Sequence, residues 1–338
     1  MKIINVYSSI SNTTIPYELS KFMANEYNKI TFIDFKALFN LNLLKTINSL
    51  ISLIKDETII HTHHTFSAVI VSLVKILSFN KKAYFIHTCH RDFSSFTLKY
   101  QVLYCLLIYP FRDKLICNSR STKYSLPKFI RRLFGKKIEI IYNGLNFKKI
   151  KFQNNLAYQK KIELVNVGRL IKEKDQLSLL KACLILKNEK VNFHLTICGG
   201  GDLFYILDEY IKSNNLTNNV SLLGNTPRTD VFGFLKKADF YISTSITEGF
   251  GVSNVEAMAA GACVILTDIP VNYEIINDER CFIPIGCANS LTNKIKELLA
   301  NKELYNELVI KNYERSKMFS LETTAQNHFK VYNDLLIN

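Results

Sequence analysis

Apolar runs alternate with segments of helical spacing along the whole chain. Six runs rich in β-branched residues occur in the first half: Lys2–Tyr7, Ile30–Phe35, Thr58–His61, Ala83–His87, Lys114–Cys117 and Ile138–Tyr142. Six more occur in the second half: Leu164–Val167, Phe193–Cys198, Val220–Leu223, Phe240–Thr244, Cys263–Thr267 and Phe282–Ile285. Strands that alternate with helices across short turns are typical of doubly wound parallel sheets. The pattern predicts an α/β chain with two Rossmann-like sheets.

The two sets of strands predict two domains. A chain of 338 residues is long enough for two domains of ordinary size. Asn143-Gly144 follows the last run of the first half, and residues 148–160 are polar and unpatterned, which is typical of a linker. We therefore expect one domain over about residues 1–150, a second over about 159–318, and a final helix within 319–338, near Leu321–Leu336.

The stretch from Thr247 to Gly261 has the pattern of a ligand-binding turn. It follows a predicted buried strand, and from Ser253 it continues as a helix of small residues that Gly261 can end. The N-terminus of such a helix presents backbone N–H groups to an anion, and glycines allow a ligand to approach the main chain. Glu248 in the turn and Glu256 in the helix could accept hydrogen bonds from the hydroxyl groups of a polyol. Acidic residues placed there to match the helix dipole are the simpler interpretation, but they do not explain the glycines.

A second turn is basic. Gly168 and Arg169 follow a predicted strand, and Lys172 and Lys174 come directly after them. Arginine offers a fork to phosphate oxygens and lysine a point charge. Gly199-Gly200-Gly201 also lies between a strand and a helix, which is a weaker signal. The chain has no G-x-G-x-x-G, Walker A or D-x-D segment. The sequence therefore does not indicate dinucleotide redox chemistry, P-loop chemistry or a metal bound by carboxylates.

The two turns resemble the E-x7-E and G-R-L-x-x-x-K signatures of retaining, nucleotide-sugar-dependent glycosyltransferases of the family 4 type. The resemblance implies a GT-B fold, in which two Rossmann-like domains face a central cleft. It also implies that the first domain holds the acceptor, that the second holds the donor, and that the last helix packs back on the first domain.

The resemblance assigns roles to individual residues. It implies that Arg169 and Lys174, beside Gly168, hold the donor diphosphate, that Glu248 meets the donor sugar, and that Glu256 meets the ribose. The backbone amides expected on sugar and phosphate are those of Gly249, Phe250, Gly251 and Val252, and Gly200 is expected to form a wall of the nucleotide site. Transfer would retain the anomeric configuration by front-face displacement assisted by the leaving phosphate. No metal and no cofactor is expected beyond the nucleotide sugar itself.

Five of the seven histidines lie at the ends of two predicted strands. The resemblance makes His90 the residue that reaches the donor sugar from the first domain, with His87 the weaker candidate. His61 and His63 resemble a strand-end pair nearer the acceptor, and for these a histidine satisfied by hydrogen bonds is an equally good interpretation.

The chain departs from the family pattern at two turns. Asp175 stands where many members have glycine. The first strand-to-helix turn, residues 8–16, has hydroxyl side chains where family members often carry a Gly-Gly pair, which bears on the geometry of the acceptor.

Positive charge is concentrated in the first half of the chain. The net charge is +14; residues 1–158 carry 23 Lys+Arg and 8 Asp+Glu, whereas residues 159–338 carry 20 and 21. Such a field favours an anionic partner, such as lipid headgroups or a phosphorylated acceptor, or else serves solubility. Nucleic acid is not expected as the partner, because it would explain the charge but not Arg169, Lys174, Glu248 and Glu256.

A basic run between Arg120 and Lys151, with ten Lys and Arg and Glu139 as its only acid, predicts a surface helix. Lys123, Lys128, Arg131, Arg132, Lys136 and Lys137 are its candidate lipid contacts. Leu126, Phe129, Ile130 and Leu133 are expected to form one apolar face of a short helix spaced through Tyr124–Leu133, with Pro127 in the first turn.

Eight cysteines without a C-x2-C pair, no signal-peptide pattern and no apolar stretch of membrane length predict a reduced cytoplasmic protein. Such a protein is either free in the cytoplasm or attached peripherally to the inner face of the plasma membrane. The predicted function is transfer of a sugar to a saccharide or lipid-linked acceptor in the synthesis of a cell-envelope polysaccharide, such as O-antigen, capsule or lipopolysaccharide. A nucleotide-sugar epimerase and a non-catalytic basic binding protein remain as alternatives.

Overall fold

The computed structural model describes residues 2–7, 15–26, 30–34, 43–54, 58–78, 83–153 and 161–337. Contacts divide the chain into two units, Met1–Gly144 with Leu321–Asn338, and Leu145–Ser320. The first boundary lies a few residues before the predicted linker. Most of the first strand-to-helix turn, residues 8–14, and part of the predicted linker, residues 154–160, lie outside the described residues.

Each of the twelve apolar runs forms a strand. The strands are β1 (Lys2–Tyr7), β2 (Ile30–Asp34), β3 (Thr58–Thr62), β4 (Tyr84–Cys89), β5 (Lys114–Cys117), β6 (Ile138–Ile140), β7 (Ile162–Val167), β8 (Phe193–Cys198), β9 (Val220–Gly224), β10 (Phe240–Ser243), β11 (Cys263–Thr267) and β12 (Phe282–Ile283). All neighbouring strands pair in parallel, with the order β2-β1-β3-β4-β5-β6 in the first unit and β12-β11-β10-β7-β8-β9 in the second. The predicted fold class is therefore confirmed.

Fourteen helices surround the two sheets in the described residues. They are α1 (Ile15–Glu26), α2 (Leu43–Leu53), α3 (Thr65–Ser78), α4 (Leu98–Leu103), α5 (Arg120–Ser125), α6 (Lys128–Phe134), α7 (Gln176–Asn188), α8 (Phe204–Ser213), α9 (Arg228–Lys237), α10 (Val252–Ala260), α11 (Pro270–Ile275), α12 (Ala288–Ala300), α13 (Lys302–Ser316) and α14 (Leu321–Ile337). Parallel strands buried beneath helices on both faces explain why the strands are continuous apolar runs.

Each sheet has one point where the strand order reverses. In the second unit this point lies between β7 and β10, as in the dinucleotide-binding strand order, and in the first unit it lies between β1 and β3. The chain leaves the two strands in opposite directions there, which opens a crevice at their carboxyl ends. The turns that follow β7 and β10 are the two turns that carry the sequence motifs.

The final helix, α14, belongs to the first unit. Its residues Ala325, Phe329 and Tyr332 are buried in one cluster with Ile3 of β1 and Met23 of α1. The hydroxyl of Thr324 donates to the Tyr142 carbonyl over 3.0 Å. The helix therefore completes the core of the first sheet, although nearly two hundred residues separate it from that sheet in sequence.

The basic run does not form the predicted single helix. Pro127 precedes α6 and separates it from α5. Leu126 and Ile130 are buried in the core of the first unit, whereas Phe129 and Leu133 are exposed. The predicted apolar face was wrong because half of its members pack inward.

Candidate functional site

The basic turn after β7 is held against the glycine turn after β8. The Gly168 N–H donates to the Cys198 carbonyl over 3.0 Å, and the Leu170 N–H donates to the Gly200 carbonyl over 2.9 Å. Gly199 has a φ of +148°, and a Cβ there would lie 1.9 Å from the Gly168 oxygen. The two turns therefore approach closely because this position has no side chain.

Lys174 ends a short 3-10 turn, Lys172–Lys174, that leads into α7. The next residue, Asp175, adopts a left-handed conformation with φ 45°, and its carboxylate accepts a hydrogen bond from the Ser178 N–H over 3.4 Å as the cap of α7. Glycine favours such a conformation, and aspartate tolerates it when it caps locally. The departure from the family pattern at Asp175 thus preserves the turn.

Lys174 and Glu248 form an ion pair across the point where the strand order reverses. The Lys174 ammonium contacts Glu248 Oε1, and only 17% and 10% of the two side chains are exposed. Ser245 donates to the same carboxylate oxygen over 2.9 Å. A buried pair of this kind needs further hydrogen bonds to offset the loss of hydration, and Ser245 supplies one.

Hydrogen bonds to main-chain carbonyl groups connect the two motif turns. The Thr244 hydroxyl is within 3.1 Å of the Lys174 carbonyl and 2.9 Å of the Asp175 carbonyl. The Ile246 N–H donates to the Glu173 carbonyl over 2.8 Å. The positions of the Lys174 and Glu248 side chains are therefore set by a rigid main chain.

The N-terminus of α10 opens beside this pair. Gly251 precedes the helix with a φ of +78°, and a Cβ there would lie 2.6 Å from Asn254 Nδ2. Asn254 is buried, accepts a hydrogen bond from Tyr241 over 3.1 Å, and donates to Asn272 over 3.1 Å. Phe250 is buried against Phe319, with ring centroids 5.4 Å apart.

Glu256 lies one turn into α10 and is 1% exposed. Its Oε1 contacts the guanidinium of Arg228, the first residue of α9. That guanidinium also lies over the Phe232 ring at 5.3 Å from its centroid. Arg228 was not predicted, because it stands in an ordinary polar stretch, where a cation at the start of a helix is the only signal.

Two further residues, Arg169 and Gly200, are predicted to contact the nucleotide-sugar donor. Arg169 is exposed, and its guanidinium makes no hydrogen bond or ion pair within the described part of the chain. Gly200 lies against the Asn225 side chain. The structure thus brings Lys174 and Glu248 together, pairs Glu256 with Arg228, and leaves Arg169 open to a ligand.

The predicted histidines lie in the first unit. His90 follows β4, and His63 follows β3, with His63 Nδ1 3.3 Å from His90 Nε2. Burial, with smaller effects from the charges of His328 and His64, lowers the pKa of His90 to about 4. The His90 imidazole is therefore neutral at pH 7.

His61 and His87 are fully buried and bonded on both ring nitrogens. His61 contacts the Tyr332 hydroxyl at 2.6 Å and the Thr88 hydroxyl at 2.7 Å. His87 contacts the Thr62 hydroxyl at 2.9 Å and the Tyr104 hydroxyl at 3.3 Å. These contacts support the structural interpretation of both residues.

Two sheets with Rossmann-like strand orders, and a cation–carboxylate pair at the reversal point of the second, define a protein of the GT-B class. Residues 147–315 match the family model described as "Glycosyl transferases group 1", and residues 18–149 match the model described as "Glycosyltransferase Family 4". The chain belongs to the glycosyl transferases group 1 family.

Curated relatives are similar at moderate identity. An uncharacterized glycosyltransferase of Methanocaldococcus jannaschii is 29% identical over 225 residues, which are 66% of this chain and 60% of the relative. The N-acetylgalactosamine-N,N'-diacetylbacillosaminyl-diphospho-undecaprenol 4-alpha-N-acetylgalactosaminyltransferase of Campylobacter jejuni is 29% identical over 231 residues, which are 66% of this chain and 61% of the relative. The match thus spans about 60% of the length of these relatives.

Solved structures of low identity share the fold over nearly the whole chain. The complex of Anabaena HepE with UDP-glucose has a TM-score of 0.81 at 17% identity and covers 99% of this chain and 100% of the other. Sucrose-phosphate synthase from Thermosynechococcus elongatus has a TM-score of 0.79 at 18% identity and covers 100% of both chains.

Proposed function

We propose that the chain is a retaining glycosyltransferase that uses a nucleotide-sugar donor. The observation that carries this proposal is the Lys174–Glu248 pair, which two independent turns bring together at the reversal point of the second sheet. Ligands of open α/β sheets bind at that point, at the carboxyl ends of the strands. The similar Anabaena HepE structures are complexes with UDP and with UDP-glucose, which is consistent with such a donor.

The charges of the site suit a nucleoside diphosphate. Arg169 is exposed and can turn its guanidinium to the phosphate oxygens, while Lys174 is fixed by its turn. The N-terminus of α10 adds backbone N–H groups and the positive end of the helix dipole. These groups stabilise the charge that develops on the leaving diphosphate, and we propose that they do so without a metal.

The two carboxylates bind different neutral parts of the donor, Glu248 the sugar and Glu256 the ribose. Glu248 gives one oxygen to Lys174 and Ser245, which leaves its other oxygen for a hydroxyl of the donor sugar. Glu256 is held by Arg228 at the buried end of the site, where ribose hydroxyls can share its oxygens. Arg228 contacts this carboxylate and is therefore a further candidate for the nucleotide site.

The proposed reaction breaks the bond between the anomeric carbon and the diphosphate oxygen. The acceptor hydroxyl oxygen forms the new bond to the same face of that carbon, and its proton passes to the departing phosphate oxygen. The products are a glycoside of retained configuration and the nucleoside diphosphate. No side chain of the chain needs to form a covalent intermediate.

We propose a saccharide or lipid-linked saccharide as acceptor. Similar proteins include a diphospho-undecaprenol N-acetylgalactosaminyltransferase of Campylobacter jejuni and an amylovoran biosynthesis glycosyltransferase of Erwinia amylovora. These similarities support an acceptor in the assembly of a cell-envelope polysaccharide.

The test of this function is sugar transfer with the purified chain in EDTA. Nucleotide sugars are offered with short-chain isoprenoid diphosphate saccharides or free oligosaccharides, and the anomeric proton of the product is followed by NMR. Arg169→Ala should lower the rate by about 10²–10³, as for loss of a donor to transition-state charge, and Lys172→Ala, which removes an exposed cation of the same turn, should not. Epimerised donor without acceptor, inverted product, or activity that requires added Mn²⁺ or Mg²⁺ would contradict the proposal.

A lipid-linked acceptor requires access to a membrane surface, and we propose that the first unit attaches peripherally to anionic lipid in the cytoplasm. No helix among the described residues has the length and apolarity needed to span a bilayer. Phe129, Leu133 and Tyr124 are 53%, 71% and 63% exposed, and the exposed Lys128, Arg132 and Lys136 lie beside them in sequence. An apolar group flanked by cations suits the interface of an anionic membrane.

Vesicle co-sedimentation tests the attachment. Binding should require anionic lipid and weaken with NaCl, since each cation near the surface contributes up to about 1 kcal/mol and is screened over about 8 Å at physiological salt. Replacing Lys128, Arg132 and Lys136 by glutamine should release the chain, whereas the same change at Lys236 and Lys237, exposed in the second unit, should not. Equal binding to neutral vesicles would refute the electrostatic attachment.

A further inference from the structure

Two imidazoles are hydrogen-bonded to each other at neighbouring strand ends of the first sheet. His63 Nδ1 lies 3.3 Å from His90 Nε2, with the ring centroids 5.6 Å apart and the planes 28° apart. The proposed function assigns no role to either ring. A hydrogen bond between two neutral imidazoles nevertheless fixes which nitrogen of each ring carries the proton.

His63 is held in one orientation by stacking. Its ring is parallel to the Tyr7 ring, at 5.1 Å between centroids and 2° between planes, and lies 4.2 Å from the His61 ring. Burial and the surrounding histidines, His61, His90, His328 and His87, lower the pKa of His63 well below its ordinary value. Both rings of the pair are therefore neutral at pH 7, and each carries one proton.

The second nitrogen of His63 decides where those protons are. His63 Nε2 is buried and has no hydrogen-bond partner among the described residues. If His90 donated to His63, the proton of His63 would lie on this nitrogen as a buried N–H without an acceptor. Buried N–H groups without partners are rarer than buried acceptors without partners. The favoured arrangement therefore places the His63 proton on Nδ1, from which it is donated to His90 Nε2.

The consequence for His90 is that its proton lies on Nδ1. This nitrogen makes no hydrogen bond to any residue that the structure describes, and it is not among the buried atoms that lack a partner. It is thus an accessible N–H donor. We propose that His63 is a positioning residue that fixes His90 as the Nδ1–H tautomer, so that His90 presents an N–H donor to a sugar oxygen at the carboxyl ends of the first sheet.

The sugar contact in this proposal rests on the proposed function, but the tautomer assignment does not. His61 cannot replace His63 in this role, because both of its nitrogens are bonded to Tyr332 and Thr88. The neighbouring His64 is exposed and serves as a matched control.

Long-range proton–nitrogen NMR of the imidazoles in the full chain tests the assignment directly. At pH 7, His63 and His90 should both show the Nδ1–H pattern. His63→Phe keeps a ring against Tyr7 but removes the donor, so the His90 signal should shift toward the Nε2–H form. His63→Asn, whose amide nitrogen takes the place of Nδ1, should restore the Nδ1–H form, and His64→Gln should leave it unchanged. An Nε2–H form of His90 in the unmodified chain, or a His90 tautomer that His63→Phe does not alter, would overturn the proposal.

Kinetics separate this inference from the proposed function. With an active donor and acceptor, His63→Phe should lower kcat about tenfold or more, as expected when a substrate contact is misplaced, with a smaller change in donor KM and with recovery in His63→Asn. Full activity of His63→Phe together with the expected NMR shift would refute the sugar contact. If no donor or acceptor supports transfer, the proposed function fails, and the tautomer assignment is still decided by NMR.

Discussion

The two sheets of the molecule share a parallel architecture but carry opposite chemistry at their carboxyl ends. In the second unit, Lys174 pairs with Glu248 and Arg228 pairs with Glu256, so the strand ends are lined with charges. In the first unit the corresponding positions hold histidines that burial keeps neutral, among them His61, His63 and His87. The strand ends of the second sheet therefore present charged groups, whereas those of the first sheet present neutral rings.

The overall charge of the two units follows the reverse pattern. The first unit, residues 1–144 and 321–338, has 21 Lys+Arg and 10 Asp+Glu, and the second has 22 and 19. The excess positive charge therefore belongs to the unit whose strand ends are neutral. Net charge indicates a surface property here, and the anion site must be located from paired side chains on particular turns.

The largest expected effect is the acid sensitivity of the first unit. The pKa of His90 and of His328 is about 4 in the folded chain, mainly through burial, against about 6.5 for an unfolded histidine. Below pH 6.5 the unfolded chain binds protons that the folded chain does not, so the free energy of unfolding falls as the pH falls. Each such histidine lowers the free energy of unfolding by about 1.4 kcal/mol per pH unit as the pH falls from about 6 to 4. Together, His90 and His328 account for a loss of several kcal/mol.

Urea unfolding between pH 7 and pH 4.5 measures this effect. His328→Gln should reduce the slope of unfolding free energy against pH, whatever its effect at pH 7, and His64→Gln should change the slope less because His64 is exposed. A stability that is constant from pH 7 to 5 would show that the imidazoles are not buried in neutral form.

A smaller effect concerns the glycine turn of the second unit. Gly199→Ala would place a Cβ 1.9 Å from a carbonyl oxygen in a conformation that favours glycine, and we expect a loss of about 3 kcal/mol in unfolding free energy. Gly233→Ala lies within α9 with nothing within 4 Å of the new Cβ, and it should raise stability by about 0.5–1 kcal/mol. The two substitutions are chemically identical, so equal effects in thermal or urea unfolding would contradict the close approach of the turns.

The sequence was sufficient for the strands of both units and for the two motif turns. Apolar, β-branched runs that are separated by helical segments can form a sheet in only a few strand orders. A turn that follows a strand and contains both glycine and charged residues is typical of a ligand-binding turn. The helices Pro270–Ile275 and Lys302–Ser316 were not predicted. The second buries Asn312 and Ser316 along with Tyr305, Leu308 and Val309, so its buried face lacks an apolar period.

Partners of individual side chains could not be predicted. The contact between Arg228 and Glu256 joins α9 and α10 through tertiary structure and leaves no local spacing in the sequence. The apolar residues around Pro127 are a second case. Their spacing fits one surface helix as well as two short helices that are separated at Pro127. In the structure Leu126 and Ile130 are buried, whereas Phe129 and Leu133 are exposed. The break is decided by packing into the first sheet.

The smallest expected effect separates the two carboxylates of the second unit. Glu256→Ala should weaken the binding of a nucleoside diphosphate by about 1–3 kcal/mol, because ribose hydroxyls and Arg228 lose a buried acceptor. Glu248→Ala should lower turnover more than it lowers diphosphate affinity. Isothermal titration and steady-state kinetics measure the two quantities, with the exposed Glu209→Ala as the control. Two fully active, tightly binding variants would remove both carboxylates from the site.

The charged turns of the second unit are proposed to hold a nucleoside diphosphate through Lys174. The most direct test is calorimetric titration of the full chain in EDTA with uridine, guanosine, adenosine, cytidine and thymidine diphosphates. We expect that at least one binds, that Lys174→Ala weakens its binding about tenfold or more, as for loss of a hydrogen bond to a charged group, and that Lys172→Ala leaves its binding unchanged. Binding that is equally strong in Lys174→Ala, or no binding of any diphosphate unless a divalent metal is added, would contradict a diphosphate site at Lys174.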